Sequence, residues 1–186
     1  MRNSIRNTLM YANFSSYIGG AVFLLSENGK PQDKAVLNLE NCTIVDNLAL
    51  RYGGAGFNDR YNNLTITVLN SIIYSNAPKD FGGNCSSIGP DTAVTNLYMT
   101  YSCTPTNGLS GVLDSSNITN NPAFVDWTGE NFRLSRYSPC INAGLNQSWM
   151  DDGRDLDNHS RIDRFSGTVD MGCYECLSQG MMFKVY

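Results

Sequence analysis

Apolar and polar positions alternate along this chain in short runs. Leu37 and Leu39 bracket Asn38, and Ile66 and Val68 bracket Thr67, in segments rich in β-branched residues. A period of two sends one side of an extended segment into a core and the other outward, so these runs predict strands. No stretch of comparable length carries the period of an amphipathic helix.

The strand signals recur as a unit. Asn7 is followed by Met10, Asn13, Gly19-Gly20 and Phe23, and Asn41 by Ile44, Asn47, Gly53-Gly54 and Phe57, at identical offsets. A third copy runs Asn70, Ile73, Asn76, Gly82-Gly83, and a fainter fourth runs Asn96, Met99, Ser102, Gly108. The copies begin 34, 29 and 26 residues apart. A fixed unit with a variable connection is the pattern of stacked repeats, whose cores stay in register while insertions fall in loops. It predicts an all-β chain: a right-handed, single-stranded parallel β-helix, a pectate-lyase-like solenoid of about three to four coils.

Stacking would place Ile5, Leu39, Val68 and Val94 in one interior column and Met10, Ile44, Ile73 and Met99 in another. Asn13, Asn47 and Asn76 would fall at one corner, where Asn accepts the left-handed backbone and successive amides bond to one another. The glycine pairs would mark a second corner. A phosphate-binding loop, by contrast, opens a helix and has no reason to recur in every unit.

Composition fits a chain that turns often, since 22 Asn and 17 Gly are the residues that tolerate positive φ. The net charge of -4 argues against nucleic acid or an anionic membrane surface as partner. No apolar run approaches the ~20 residues of a membrane-spanning segment. The opening MRNSIRNTLMYANF also lacks the ~7–15-residue apolar core of a signal peptide.

Chemistry-bearing residues are few. The densest ionisable run is MDDGRDLDNHSRIDR, in which Asp151, Asp155 and Asp157 are candidate Ca²⁺ ligands, against the simpler reading of a solvated, salt-bridged loop. The pattern requires no other cofactor. Tyr52, Tyr61 and Tyr74 lie in or beside the repeats and could stack on sugar rings, or pack between coils. Cys42 shares a column with Thr8 and Ser71, which reads as a buried free thiol. Cys173 and Cys176 form a CxxC with no second pair to complete a zinc site.

From about residue 112 the repeat stops. Tyr101-Ser102-Cys103, then NPAFVDWTGENFRLSRYSPCINAG at 121–144 and DLDNHSRIDRFSGTVDMGCYE at 155–175, resemble the C-terminal portion of bacterial right-handed parallel β-helix repeat proteins of the choice-of-anchor Q type. In that family a YSC element leads to DPLFVD...YRLSPGSPCIDAG and then to DLDGNPRI...VDMGAYE. Asn142 stands where the family usually has Asp, and Cys173 where it usually has Ala. The resemblance implies an exported or cell-surface protein. The departure at Cys173 supplies a thiol that could pair with Cys140, and Cys85 could pair with Cys103. Anchored members carry their anchor after the last motif; here only CLSQGMMFKVY follows, too short for one.

The expected organisation is β-helix coils over 1–112, a closing segment over 113–176 and a tail over 177–186. Phe124, Trp127, Phe132, Leu134 and Ile141 would form a lid over the open end of the stack. The first coil begins without a visible cap, so more chain is expected ahead of it, or end-to-end pairing with a second copy. The functional expectation is a non-catalytic scaffold for adhesion or for contact with a polysaccharide or a host or cell-surface glycan. The alternative is a fragment or terminal part of a carbohydrate-active enzyme, a polysaccharide lyase or glycoside hydrolase. Such an enzyme would gather Asp46, Asp59, Asp80, Arg51 and Arg60 in one groove; Lys79 is a further charge in the coils, and no catalytic residue stands out.

Overall fold

A computed structural model describes residues 2–17, 19–22, 35–50, 64–77, 96–105 and 113–177. The strands are β1 (Arg2–Arg6), β2 (Leu9–Tyr11), β3 (Phe14–Ser15), β4 (Ala35–Glu40), β5 (Thr43–Val45), β6 (Leu48–Ala49), β7 (Leu64–Leu69), β8 (Ile72–Tyr74), β9 (Leu97–Thr100), β10 (Phe124–Asp126) and β11 (Asn131–Leu134). One short 3-10 turn, Ser148–Met150, is the helical element among the described residues. The described residues are therefore all-β with almost no helix.

Strands of one unit go to different sheets, and equivalent strands of successive units pair in parallel. β1, β4, β7 and β9 form a first, four-stranded sheet, β2, β5 and β8 a second, and β3 and β6 a third. This arrangement is consistent with a β-helix. The register aligns Ile5 with Leu39 and Leu39 with Val68, and aligns Met10, Ile44 and Ile73, as the repeat predicts. These side chains fill one core with Leu37, Ile66, Leu97 and Met99.

The fourth unit departs from its predicted register. Met99, not Val94, pairs with Val68, and Cys103 stands beside Ile72. Val94 lies outside the described residues. Tyr101, with φ 48°, takes the place of Asn7, Asn41 and Asn70, whose φ values are 52°, 49° and 51°. The reason is that Leu97 and Met99 supply the inward alternation while Ser102 supplies the hydroxyl that the corner needs. At that corner the Cys42 N–H donates to Ser71 Oγ (3.1 Å), the Ser71 N–H to Ser102 Oγ (3.1 Å) and the Ser102 N–H to Asn117 Oδ1 (3.1 Å). The ladder also outlasts residue 112, because Leu113 pairs with Met99 and Ile118 with Cys103.

The second corner carries the expected amide stack. Asn13 Nδ2 donates to Asn47 Oδ1 and Asn47 Nδ2 to Asn76 Oδ1, each at 2.8 Å. Left-handed backbone falls one residue earlier than expected, on Ala12 (φ 51°), Asp46 (φ 53°) and Ser75 (φ 58°). Placing the turn there leaves the Asn side chain free to bond along the stack. Gly19 of the first glycine pair has φ 72°; Gly53-Gly54 and Gly82-Gly83 lie outside the described residues.

The closing segment is not a lid over the end of the stack. β10 and β11 form an antiparallel hairpin whose Phe124, Phe132 and Leu134 join Val45, Ile72, Cys103, Cys140 and Met171 in a second core, flanked by Leu9 and Tyr74. Leu9, Val45, Ile72 and Tyr74 belong to the second sheet and alternate with Met10, Ile44 and Ile73, which face the first core. Sheet two is thus apolar on both sides, and the cheapest cover for its outer face is the chain that follows. Phe132 reaches back to the first unit, its ring 5.2 Å from that of Tyr11.

Candidate functional site

The leading asparagines tie the closing segment to the repeats. Asn70 donates through Nδ2 to the Leu145 carbonyl (2.8 Å) and accepts the Leu145 N–H (2.7 Å). Asn41 Nδ2 donates to the Asp170 carbonyl (3.2 Å), and Asn7 Nδ2 to the Arg154 carbonyl (2.7 Å). Each of these residues therefore makes a left-handed turn and holds the segment that runs down the corner.

Behind this clamp lies a sealed ionic group. Arg161, fully buried, stands 3.0 Å from Glu175 Oε1 and donates to the carbonyls of Gly172 (2.9 Å) and Asp170 (3.3 Å) and to Asn7 Oδ1 (3.3 Å). Asp170 accepts the N–H groups of Asn142 (2.7 Å) and Cys176 (2.6 Å), and Glu175 accepts that of Asp170 (3.1 Å). Burial pushes Asp170 up to about 6 and Glu175 up to about 9, against the downward pull of Arg161. Shifted carboxylates often mark catalytic centres. Here their oxygens are committed to backbone donors away from solvent, so the group fixes the conformation of the closing segment.

Of the candidate metal ligands, Asp155 and Asp157 come together, with His159, so that one ligand atom from each lies within 4.8 Å of the others; Asp151 is exposed and outside that group. Asp155 accepts the N–H groups of Asp157 (2.9 Å), His159 (2.7 Å) and Glu175 (2.8 Å). Asp157 is paired with both Nε (2.6 Å) and Nη2 (2.5 Å) of Arg133, which holds its carboxyl below the ordinary range. A Ca²⁺ ion there would have to displace Arg133. Beside this loop an open cleft of about 400 Å³ is lined by Arg154, His159, Ser160, Asp163, Arg164 and Phe165.

Tyr74 is half-buried, its ring edge-on to Trp127 at 5.9 Å, while Tyr52 and Tyr61 lie outside the described residues. Asp46 accepts a 2.6 Å hydrogen bond from Trp127 Nε1; Asp59, Asp80, Arg51, Arg60 and Lys79 lie outside the described residues. The expected pairing of Cys140 with Cys173 is not formed. Cys140 and Cys173 are both free, Cys140 meets Cys103, and Cys173 lies by Cys42 at the first corner, where its N–H donates to Thr43 Oγ1 (3.1 Å). Cys85 lies outside the described residues. Cys42 is the buried free thiol expected: it donates to the carbonyls of Glu40 and Ile5 (3.4 and 3.5 Å), and burial pushes it up to about 11.

The surface that sequence reasoning passed over is the outer face of the first sheet. Its register aligns Ser4, Asn38, Thr67 and Tyr98 across four strands, with Arg6, Glu40, Leu69 and Thr100 as the next outward row. Tyr98 is 60% exposed. The signal was available, since in Leu97-Tyr98-Met99 the two apolar residues point inward and the tyrosine must point out.

Fold and surface together define an all-β protein with parallel sheets. No family model, curated protein or solved structure matches the chain. No described helix is long and apolar enough to cross a membrane.

Proposed function

We propose that this chain is a right-handed parallel β-helix that serves, exported or at a cell surface, as a non-catalytic scaffold holding a glycan against its first sheet. The observation that carries the reading is the outward row Ser4, Asn38, Thr67 and Tyr98. Parallel strands lie ~4.8 Å apart. A polysaccharide laid across them meets a short hydroxyl or amide on each of three strands, then an aromatic face for the apolar side of a sugar ring. The outer face of the second sheet is occupied by the closing segment, which leaves the first sheet as the flat polar surface. The described carboxylates with raised proton affinity are enclosed, which favours a binding role over hydrolysis or elimination.

A glycan-array screen followed by titration calorimetry tests this, with a parallel assay for new reducing ends and unsaturated products. The expected result is binding without products, weakened about tenfold by Tyr98→Ala, which corresponds to ~1.4 kcal/mol of stacking. Equal binding by Tyr98→Ala would remove the first sheet as the site. Released product would replace the scaffold with a lyase or hydrolase.

A further inference from the structure

We propose that Cys103 and Cys140 form a disulfide that staples the closing segment to the repeats. Both are 0% exposed and belong to the same core; the Cys103 thiol donates to the Asn120 carbonyl (3.3 Å), and Cys140 stands close enough to raise its hold on its proton. Their backbones are held in place independently of the thiols. Cys103 donates its N–H to the Ser71 carbonyl (2.8 Å) and accepts the Ile73 N–H (2.9 Å). Cys140 donates to Ser138 Oγ (3.1 Å) and accepts the Met171 N–H (3.0 Å). A disulfide needs Cβ atoms ~3.8 Å apart and a sulfur–sulfur bond of ~2.05 Å, which two neighbouring thiols of one core would reach by turning the Cys103 side chain away from Asn120.

The oxidant is a small-molecule disulfide such as oxidised glutathione. One cysteine thiolate attacks it, forming a mixed disulfide and releasing one glutathione thiolate. The second cysteine thiolate then attacks the protein sulfur of that intermediate and expels the second. The two cysteine protons pass to the departing thiolates, so two protein thiols and one oxidised glutathione give one protein disulfide and two reduced glutathiones. The neighbouring Cys140 thiol and burial both push the Cys103 thiol well above its ordinary range, and no oxidant can reach 0%-exposed sulfur. Oxidation therefore belongs to folding, before the hairpin docks, and the finished bond is shielded from reductant.

The test is to refold the reduced chain in a glutathione redox buffer, digest it without reduction and map the cross-linked peptides by mass spectrometry. The expected dominant species joins the Cys103 and Cys140 peptides, with the loss of two hydrogens. Thermal unfolding should show a midpoint raised by ~10 °C over the chain refolded in reductant. Cys173→Ala should keep that shift and Cys103→Ala should abolish it. A dominant Cys140–Cys173 peptide, no cross-link, or a midpoint equal in both redox states would each overturn the proposal. The wild-type comparison of the two redox states decides the matter even where a variant fails to fold.

Discussion

Asn47 is the middle rung of the amide ladder, and truncating it to Ala asks whether that ladder holds the units together. Its side chain is fully buried. Nδ2 donates to the carbonyls of Met10 (3.1 Å) and Val45 (3.0 Å) and to Asn76 Oδ1, while Oδ1 accepts both the N–H and the side-chain amide of Asn13. Asn13 sits at the exposed edge, where water can replace what it loses. The acceptors on the other side cannot be rehydrated without opening the corner. The two Nδ2 hydrogens are shared among three acceptors, and the Asn47 N–H still donates to Asn76 Oδ1 (3.0 Å), so two buried bonds at ~1–1.5 kcal/mol each give an expected loss of ~2–3 kcal/mol. With a urea slope of ~2 kcal/mol/M for a chain of this size, the midpoint should fall by ~1–1.5 M. Asn13→Ala, at the end of the ladder, should cost ~1 kcal/mol or less. Asn47→Asp at pH 7 should be at least as damaging as Asn47→Ala, because a carboxylate would face two carbonyls and an amide oxygen. If Asn47→Ala costs under ~1 kcal/mol, or no more than Asn13→Ala, the stack is a by-product of the fold and holds nothing.

Two further outcomes follow from the closing segment. Folded Asp170 and Glu175 keep protons that the unfolded chain releases near pH 4, so stability should fall as pH rises from about 4 toward 9. Calorimetric midpoints across that range should decline in the wild type and decline less in Glu175→Gln; equal slopes would show that Glu175 is charged in the fold. Phe132→Ala removes a 3%-exposed ring packed against Tyr11, Phe124 and Trp127, and should cost ~3–5 kcal/mol while shifting the Tyr11 ring resonances. An unchanged Tyr11 would mean that the hairpin does not reach the first unit.

The repeat was legible because its evidence is local. Asn at a left-handed turn, a period of two and a recurring Asn13, Asn47, Asn76 spacing each reflect what one unit demands of its own backbone. Register in the fourth unit was not legible: Asn96 and Met99 mimic the spacing of Asn70 and Ile73, while the residue that makes the turn is Tyr101. The side of the stack that the closing segment covers was encoded in Thr43-Ile44-Val45, buried along its whole length, and in the apolar Ile72-Ile73. A continuous apolar run means a strand buried on both faces, but the run does not say which distant chain provides the second face. The Arg161 group was hidden for the same reason. Its partners Asn7, Asp170, Gly172 and Glu175 are spread along the chain, and the acidic run around it reads as solvated until Arg161 is seen to be enclosed.

The choice of Asn over Gly at the head of each unit binds these levels together. Glycine would adopt φ near 50° with less strain, but it could not reach Leu145, Asp170 or Arg154. Asn70, Asn41 and Asn7 meet those three groups in turn, from the third unit back to the first. The segment therefore runs along one corner from the third unit at Leu145 to the first at Arg154 and returns past the second at Asp170, while the hairpin covers the second sheet. A chain cut at residue 112 would lose both, exposing Val45, Ile72 and Cys103 along a continuous apolar face that invites association. Repeats and closing segment are thus one cooperative body, although a change of composition divides them in the sequence. Because that body spends its second sheet on its own closure, the glycan proposed above would lie on the polar first sheet, where Tyr98 stands at the end of the row.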